Sequence, residues 1–306
     1  MSLQSRFTDF EKFSSRFHCK RPSKLISVYT IDKNLWKKLL IATCIYMSKC
    51  LYKDRIILDE NELLKEYDLN RSKIKNITPN GMIVPKRHSI LEYNFLVKAF
   101  ADIIDKLNVG DMISSWHVPL NLRIKYGVVD ESNMKRHHPT EHIHSDSWAG
   151  ESSESVTTHL PLFGDVNRNH VVFYDPPQEF EESWLGPLPS YAAGASVAQK
   201  YTKINFQPKN GELIMADFAT LHSSSRLTGA TTRVSIDTTF ALKRTASNNG
   251  KERIHPWRTE ERASPDVLSG LGETHLFLFP DHEEQQVDSK GGFKHPTNLK
   301  LTKLLD

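Results

Sequence analysis

The chain has 306 residues, of which 38% are hydrophobic and 25% are charged, so it can bury the core of one large or two small globular domains. Its formal net charge of +3 is too small to indicate a nucleic-acid or anionic-membrane partner, and no stretch is long and apolar enough for a membrane span. Three cysteines without a CxxC pair, and a polar N-terminal segment without an apolar signal region, predict a cytoplasmic protein with reduced thiols.

Helical periodicity dominates the sequence up to about residue 110, where apolar residues recur every three or four positions. Asp32 or Asn34 can cap the first of these segments, and Asp59 can cap the second. The predicted helices cover 35–46, 59–67 and 89–107. We expect residues 1–110 to form a helical support, with a face that could also serve a homodimer.

From about residue 112 the sequence changes to short alternating segments separated by Gly, Pro, Asn and Asp, which is typical of strands. The predicted strands cover 113–118, 121–126, 156–162, 171–174, 201–206, 212–215 and 232–240. This number of short strands favours a jelly-roll or cupin-like barrel over residues 112–242. The predicted fold class is therefore α+β, with N-terminal helices flanking the barrel in a single domain.

Two segments interrupt or follow this pattern. Residues 175–199 contain four prolines and several aromatic residues, and a loop of this length is either a lid over the barrel mouth or a structural excursion. Residues 243–306 are polar and rich in Gly and Pro apart from a short apolar run at 275–279, so we expect an irregular extension of the same domain.

Three metal-binding residue types lie in two distant segments of the predicted barrel. His144 and Asp146 form a His-x-Asp pair, which strand periodicity would place on one face, and His222 follows the strand at 212–215. Two imidazoles and one carboxylate are the ligand set that holds Fe(II) and leaves coordination positions open for an oxygenase. With fourteen histidines in the chain, however, about one His-x-Asp is expected by chance.

The strand after His222 supplies a second feature. Arg233 and Ser235 share one face of this alternating strand, and an Arg fork with a neighbouring hydroxyl is suited to bind a carboxylate. A buried Arg needs an anionic partner, and a dicarboxylate cosubstrate would provide one.

Together these residues resemble the Fe(II)/2-oxoglutarate-dependent oxygenase superfamily, whose fold is a double-stranded β-helix. The resemblance implies that His144, Asp146 and His222 bind Fe(II), and that Arg233 and Ser235 bind the far carboxylate of 2-oxoglutarate. It also implies a reaction with O2 that releases succinate and CO2, and Asp146 favours hydroxylation over halogenation. The wider pattern is similar to oxygenases of bacterial small-molecule biosynthesis, without indicating a subfamily.

Other candidate residues border this site. Asn121 and Arg123 share a strand face that could contact 2-oxoglutarate or substrate, or could face solvent. His142, Trp148 and Trp184 are candidates for substrate contact, although a Trp is more often part of the core.

Three functional hypotheses remain at this stage. The first is a 2-oxoglutarate-dependent hydroxylase of a small polar metabolite. The second is a cupin-type dioxygenase or isomerase in which His142, His144 and His222 bind the metal, because His142 and His144 also form a same-face pair. The third is a jelly-roll barrel that binds a ligand without catalysis.

Overall fold

The computed structural model describes most of the chain, including all of the predicted barrel except two single positions, 119 and 130. The described residues are 1–52, 54–74, 77–118, 120–129, 131–244, 262–278 and 300–304. Within these ranges, no helix combines the length and apolar character needed to cross a membrane. Most of the predicted extension at 243–306 lies outside the described residues.

Seven helices lie in the described ranges, and the three predicted ones are confirmed. They are α1 (Leu3–Ser14), α2 (Lys33–Leu51), α3 (Glu60–Asn70), α4 (Ile90–Lys106), α5 (Glu131–Met134), α6 (Ala195–Ala198) and α7 (Pro265–Ser269). Asp32 and Asp59 accept hydrogen bonds from the first-turn amides of α2 and α3, which satisfies backbone donors that would otherwise lack partners. The helix α1 was not predicted.

The described strands form a large sheet, a small sheet and a separate two-stranded ribbon. They are β1 (Lys20–Ser23), β2 (Ile26–Thr30), β3 (Ile113–His117), β4 (Asn121–Lys125), β5 (Ser155–Gly164), β6 (Asn169–Asp175), β7 (Thr202–Lys203), β8 (Glu212–Asp217), β9 (Leu221–Arg226), β10 (Arg233–Leu242), β11 (Arg262–Ala263), β12 (His275–Leu278) and β13 (Lys300–Lys303). The large sheet has the order β1-β2-β8-β5-β10-β3-β11, with β4 also paired to β10, and the small sheet has the order β7-β6-β9.

The path of the chain between the two sheets is that of a double-stranded β-helix. It runs from β5 in the large sheet to β6 and β7 in the small sheet, returns to β8, crosses to β9 and returns to β10. Thr140 and His144 extend the small sheet, because their backbone groups bond to Ser224 and His222 of β9. The predicted fold class, helices flanking a jelly-roll barrel, is confirmed by this topology.

The strands of the large sheet are two-faced, which explains how the sheet can pack helices on one side and line a polar cavity on the other. Along β10, Val234, Ile236 and Phe240 belong to the main apolar core that α1, α2 and α4 share. The alternating residues Arg233 and Ser235 point into the space between the sheets. Toward the β2 and β8 edge, that space is filled instead by an apolar cluster from both sheets.

Several sequence-based boundaries need correction. The N-terminal part is not wholly helical, because β2 pairs antiparallel to β8 and β1 pairs antiparallel to β2, which extends the large sheet by two strands. The strand predicted at 201–206 is reduced to β7, because the amide of Phe206 bonds to the carbonyl of Ile204 in a turn rather than to a neighbouring strand. A strand was not predicted around His222, yet His222 lies within β9.

Candidate active site

His144, Asp146 and His222 converge at one end of the space between the two sheets. The Oδ1 atom of Asp146 lies 3.7 Å from Nε2 of His144 and 3.8 Å from Nε2 of His222. One ligand atom from each of the three residues lies within 4.8 Å of the other two, and no other group of this kind occurs in the described ranges. The two segments predicted to supply a metal site are thus adjacent in the fold.

His144 is held in one tautomer by the backbone. Its side chain is fully buried, and Nδ1 lies 2.7 Å from the carbonyl oxygen of His142, to which it donates its proton. Burial holds the pKa of His144 well below its ordinary value, and the neighbouring His222 and the cations Lys125 and Arg123 act in the same direction. The Nε2 atom is therefore an unprotonated lone-pair donor, and none of the described residues forms a hydrogen bond with it.

Asp146 reaches the site from a turn, which corrects the expectation that strand periodicity aligns it with His144. Asp146 opens a 3₁₀ turn, Asp146–Ala149, that Ser145 caps by accepting from the amide of Ser147. Burial raises the pKa of Asp146, and the carboxylate of Asp237 contributes to the rise. A cation at the trio would offset the cost of holding this carboxylate charged.

Arg233 and Ser235 lie in the same cavity as the trio. The guanidinium of Arg233 is 2% exposed and donates to Ser235 Oγ at 2.6 Å and to Asn169 Oδ1 at 3.2 Å. Burial lowers the pKa of Arg233 to about 9. No carboxylate of the described residues forms an ion pair with it, so this buried cation lacks the anion that such a group normally requires.

Arg123 and Asn121 face inward, and both bind the carboxylate of Asp237. Arg123 donates through Nε and Nη2 to the two oxygens of Asp237, and Asn121 Nδ2 donates to Oδ2 at 3.0 Å. Of these three side chains, Arg123 and Asp237 line the cavity. A direct contact of Arg123 or Asn121 with 2-oxoglutarate remains a prediction, and in this structure their partner is Asp237.

Two further inward-facing residues were missed by the sequence analysis. Lys125 is buried on β4 opposite Arg233, donates to Thr140 Oγ1 at 2.6 Å, and has a pKa that burial lowers to about 7. His159 is buried on β5 and lines the cavity. Strand periodicity would have revealed Lys125, because it lies two residues beyond Arg123 and shares its strand face, whereas β5 is buried along nearly its whole length and gives no such signal for His159.

The segment predicted as a lid packs over the His144 side of the trio. The ring of Tyr191 stacks on His144 with centroids 3.9 Å apart, and its backbone amide donates to the carbonyl of His137. Trp184 belongs to this segment and packs with Trp148 in an apolar cluster, where the Trp148 indole N–H donates to the Trp184 carbonyl at 2.7 Å. Neither Trp lines the cavity that holds the trio, so their predicted substrate contact has no support in this geometry.

The fit of this segment on Trp148 predicts the effect of adding one methyl group. A Cβ atom at Gly194 would overlap the Trp148 ring, whereas at Gly186 its nearest neighbour would be Ser183 O at 3.4 Å. We expect Gly194→Ala to cost about 1–3 kcal/mol of stability and to increase protease cleavage within 175–199. Thermal unfolding and limited proteolysis measure this effect, with Gly186→Ala as the control. Equal unfolding temperatures and equal cleavage rates of the two variants would contradict the packing of this segment on Trp148.

His142 contributes its backbone to the site. Its carbonyl oxygen orients His144, but its side chain is not a member of the three-residue group that could hold a metal. The companion of His144 and His222 in the described structure is therefore Asp146. A substrate contact of the His142 side chain remains a prediction.

No protein-family model matches the chain, and no curated protein matches it. Among solved structures, it is similar to the non-heme α-ketoglutarate-dependent epimerase SnoN from nogalamycin biosynthesis, with 10% identity, a TM-score of 0.41, and coverage of 81% of this chain and 95% of that one. It is similar to an N-substituted L-amino acid dioxygenase from Burkholderia ambifaria AMMD, with 11% identity, a TM-score of 0.35, and coverage of 71% and 85%. It is also similar to EctD from S. alaskensis, with 11% identity, a TM-score of 0.38, and coverage of 76% and 79%. These likenesses are distant.

Proposed function

We propose that this protein is an Fe(II)- and 2-oxoglutarate-dependent dioxygenase that hydroxylates a small polar metabolite with release of succinate and CO2. One observation carries the proposal: a buried cation without an anion, Arg233, shares a cavity with a converging His, Asp and His trio. A metal chelated at one end and a carboxylate bound at the other are the two requirements of a 2-oxo dicarboxylate cosubstrate.

The trio fits a divalent metal. The donor separations of 3.7 and 3.8 Å are below about 4.2 Å, the span of two metal–ligand bonds of roughly 2.1 Å. The unpartnered, unprotonated Nε2 of His144 and the carboxylate of Asp146 are the lone-pair donors that such an ion takes. The hydrogen bond to the His142 carbonyl orients the imidazole, as is usual for metal-binding histidines.

The other end of the cavity fits a carboxylate. Ser235 and Asn169 hold the Arg233 guanidinium in place, and Lys125 on the neighbouring strand β4 is a second buried basic residue. A carboxylate here would gain charge-assisted hydrogen bonds in a site that excludes water. It would also supply the anion that the buried Arg233 lacks.

This arrangement gives each residue of the site a proposed role. Bound Fe(II) would supply the activation of O2 that drives oxidation of substrate and decarboxylation of 2-oxoglutarate. His144, Asp146 and His222 hold the ion, and Arg233 and Ser235 orient the cosubstrate. The segment at 175–199 covers the His144 side and limits access of water.

The alternative metal site with three histidines is tested by His142→Ala. We expect this variant to bind metal within about twofold of the wild type, because the oxygen that orients His144 belongs to the backbone. Metal affinity can be measured by competition with a fluorescent chelator. A loss of affinity as large as that of His222→Ala would contradict the assignment of Asp146 and favour the three-His site.

The proposed function itself is tested by anaerobic titration of the wild type with Fe(II) and 2-oxoglutarate. The expected result is a visible metal-to-ligand charge-transfer band that needs both components, followed by slow succinate formation when air is admitted. Absence of the band would contradict the proposal. A band without succinate in the presence of candidate substrates would favour a ligand-binding barrel without catalysis.

A further inference from the structure

His159 is a buried polar residue of the cavity. It has no part in the proposed binding of the metal by the trio or of the far carboxylate by Arg233 and Ser235. Its side chain is 6% exposed on the inner face of β5, and it lines the same cavity as His222 and Arg233. Its Nε2 atom has no hydrogen-bond partner in the part of the chain that the structure describes. Leaving a buried ring nitrogen without a hydrogen bond is energetically costly, so a ligand that pairs with it would gain affinity.

The register of β5 and β10 defines the level of His159 along the cavity. Arg233 lies opposite Gly164, Ser235 opposite Pro161, and Asp237 opposite His159. The Arg233 end of this row lies away from the trio, because Lys125, which pairs with Arg233, donates to Thr140 Oγ1 at 2.6 Å, four residues before His144. His159 is thus nearer to the metal trio than the Arg233 and Ser235 pair is.

The surroundings of His159 favour an anionic ligand. Burial holds the pKa of His159 well below its ordinary value, and the positive charges of Arg233 and Arg123 act in the same direction. A neutral imidazole in such a field is a hydrogen-bond donor to an anion rather than a partner for another cation. His159 is not a member of the described group that could hold a metal, so a direct role as a metal ligand is not indicated.

We propose that His159 donates a hydrogen bond from its ring to the 2-oxo acid carboxylate of the cosubstrate. This assignment rests on the proposed function. It complements Arg233 and Ser235, which take the far carboxylate, and gives each end of the dicarboxylate its own donors. The cavity then recognises a 2-oxo acid through His159 and a dicarboxylate through Arg233.

The test compares two ligands that differ only at the far end. 2-Oxopentanoate has the five-carbon chain of 2-oxoglutarate with a methyl group instead of the far carboxylate. We expect His159→Phe to weaken anaerobic binding of both ligands to the Fe(II)-loaded protein by a similar factor, roughly 10- to 150-fold. Arg233→Met should weaken 2-oxoglutarate binding far more than 2-oxopentanoate binding. Dissociation constants come from the charge-transfer band and from calorimetry.

A matched control is available in β6, the next strand along the chain. His170 is likewise buried, at 8% exposure, and has an unpartnered Nδ1, but it does not line the cavity. His170→Phe should therefore leave both dissociation constants unchanged. His159→Gln, which retains a side-chain donor, should recover part of the affinity, and it carries the test if His159→Phe does not fold. Metal affinity without 2-oxo acid should stay within about twofold in both His159 variants.

The outcomes separate this inference from the proposed function. If the wild type binds 2-oxoglutarate and His159→Phe and His159→Gln bind it equally well, the role of His159 is wrong while the proposed function stands. Weaker binding of 2-oxoglutarate with unchanged binding of 2-oxopentanoate would also overturn the proposed role of His159, because His159 would then act at the far carboxylate. If the wild type binds neither ligand, the proposed function fails first.

Discussion

Replacing Arg233 with methionine will reduce affinity for 2-oxoglutarate by about 30- to 5,000-fold while metal affinity stays within about twofold. The range corresponds to about 2–5 kcal/mol, the usual cost of removing one partner of a buried, hydrogen-bonded charge pair. Arg233 is 2% exposed, and Ser235 and Asn169 hold its guanidinium toward the cavity. Anaerobic titration with Fe(II) first and 2-oxoglutarate second measures the two affinities separately.

The same substitution should not destabilise the ligand-free protein. Arg233 has no anionic partner among the described residues, so methionine removes a desolvated charge without leaving an unpaired carboxylate. Arg168→Met is a suitable control, because Arg168 is a half-exposed arginine paired with Asp165. Its 2-oxoglutarate affinity should equal that of the wild type. Unchanged 2-oxoglutarate binding in Arg233→Met would contradict the carboxylate assignment.

Local sequence periodicity was sufficient for the parts of the fold whose burial alternates regularly. The apolar repeat in α4 and the alternation of Arg233, Val234 and Ser235 in β10 both identify the face that packs against the core. The strand β5 is buried along nearly its whole length, which hides its alternation. Because apolar residues flank His159 along β5, the sequence pattern does not distinguish it from a core residue.

Elements that depend on distant pairing were not predicted. The strand β2 is defined by its pairing with β8, which lies almost 190 residues later in the chain. The helix α1 has a polar composition, and its burial comes from contacts such as Phe13 against Phe240. Neither contact leaves a local pattern that a single sequence can reveal.

The candidate site also combines features that the local sequence predicts with features that depend on distant contacts. The residue types of the trio and their spacing could be read from the sequence, but the route by which Asp146 reaches His144 could not. A 3₁₀ turn directs Asp146, and the bridge between His144 and His222 aligns the two imidazoles. The stacking of Tyr191 on His144 joins residues 47 positions apart, and only the packing of the segment at 175–199 reveals it.

Replacing Arg6 with methionine is expected to lower the free energy of unfolding by about 3–5 kcal/mol, the cost of breaking a buried ion pair. Arg6 is fully buried in α1 and donates to Asp217 Oδ1 at 2.7 Å, to both carboxylate oxygens of Glu182 at 2.7 and 2.9 Å, and to the Ser153 carbonyl. These partners join α1 to the end of β8 and to the segment that covers the site. Urea unfolding followed by circular dichroism measures the change.

Arg16→Met is the matched control, because Arg16 also lies near α1 but pairs with an exposed carboxylate, Asp111. This substitution should cost less than about 1 kcal/mol of stability.

In Arg6→Met, Asp217 keeps its ion pair with Arg244, whereas Glu182 loses both hydrogen bonds from Arg6. The unpaired Glu182 carboxylate is then a main source of the cost, and neutralising it in Arg6→Met with Glu182→Gln should recover part of the stability. A single variant as stable as Arg16→Met would contradict the structural role of this ion pair. Because Glu182 belongs to the segment at 175–199, faster proteolysis there should accompany the loss of global stability.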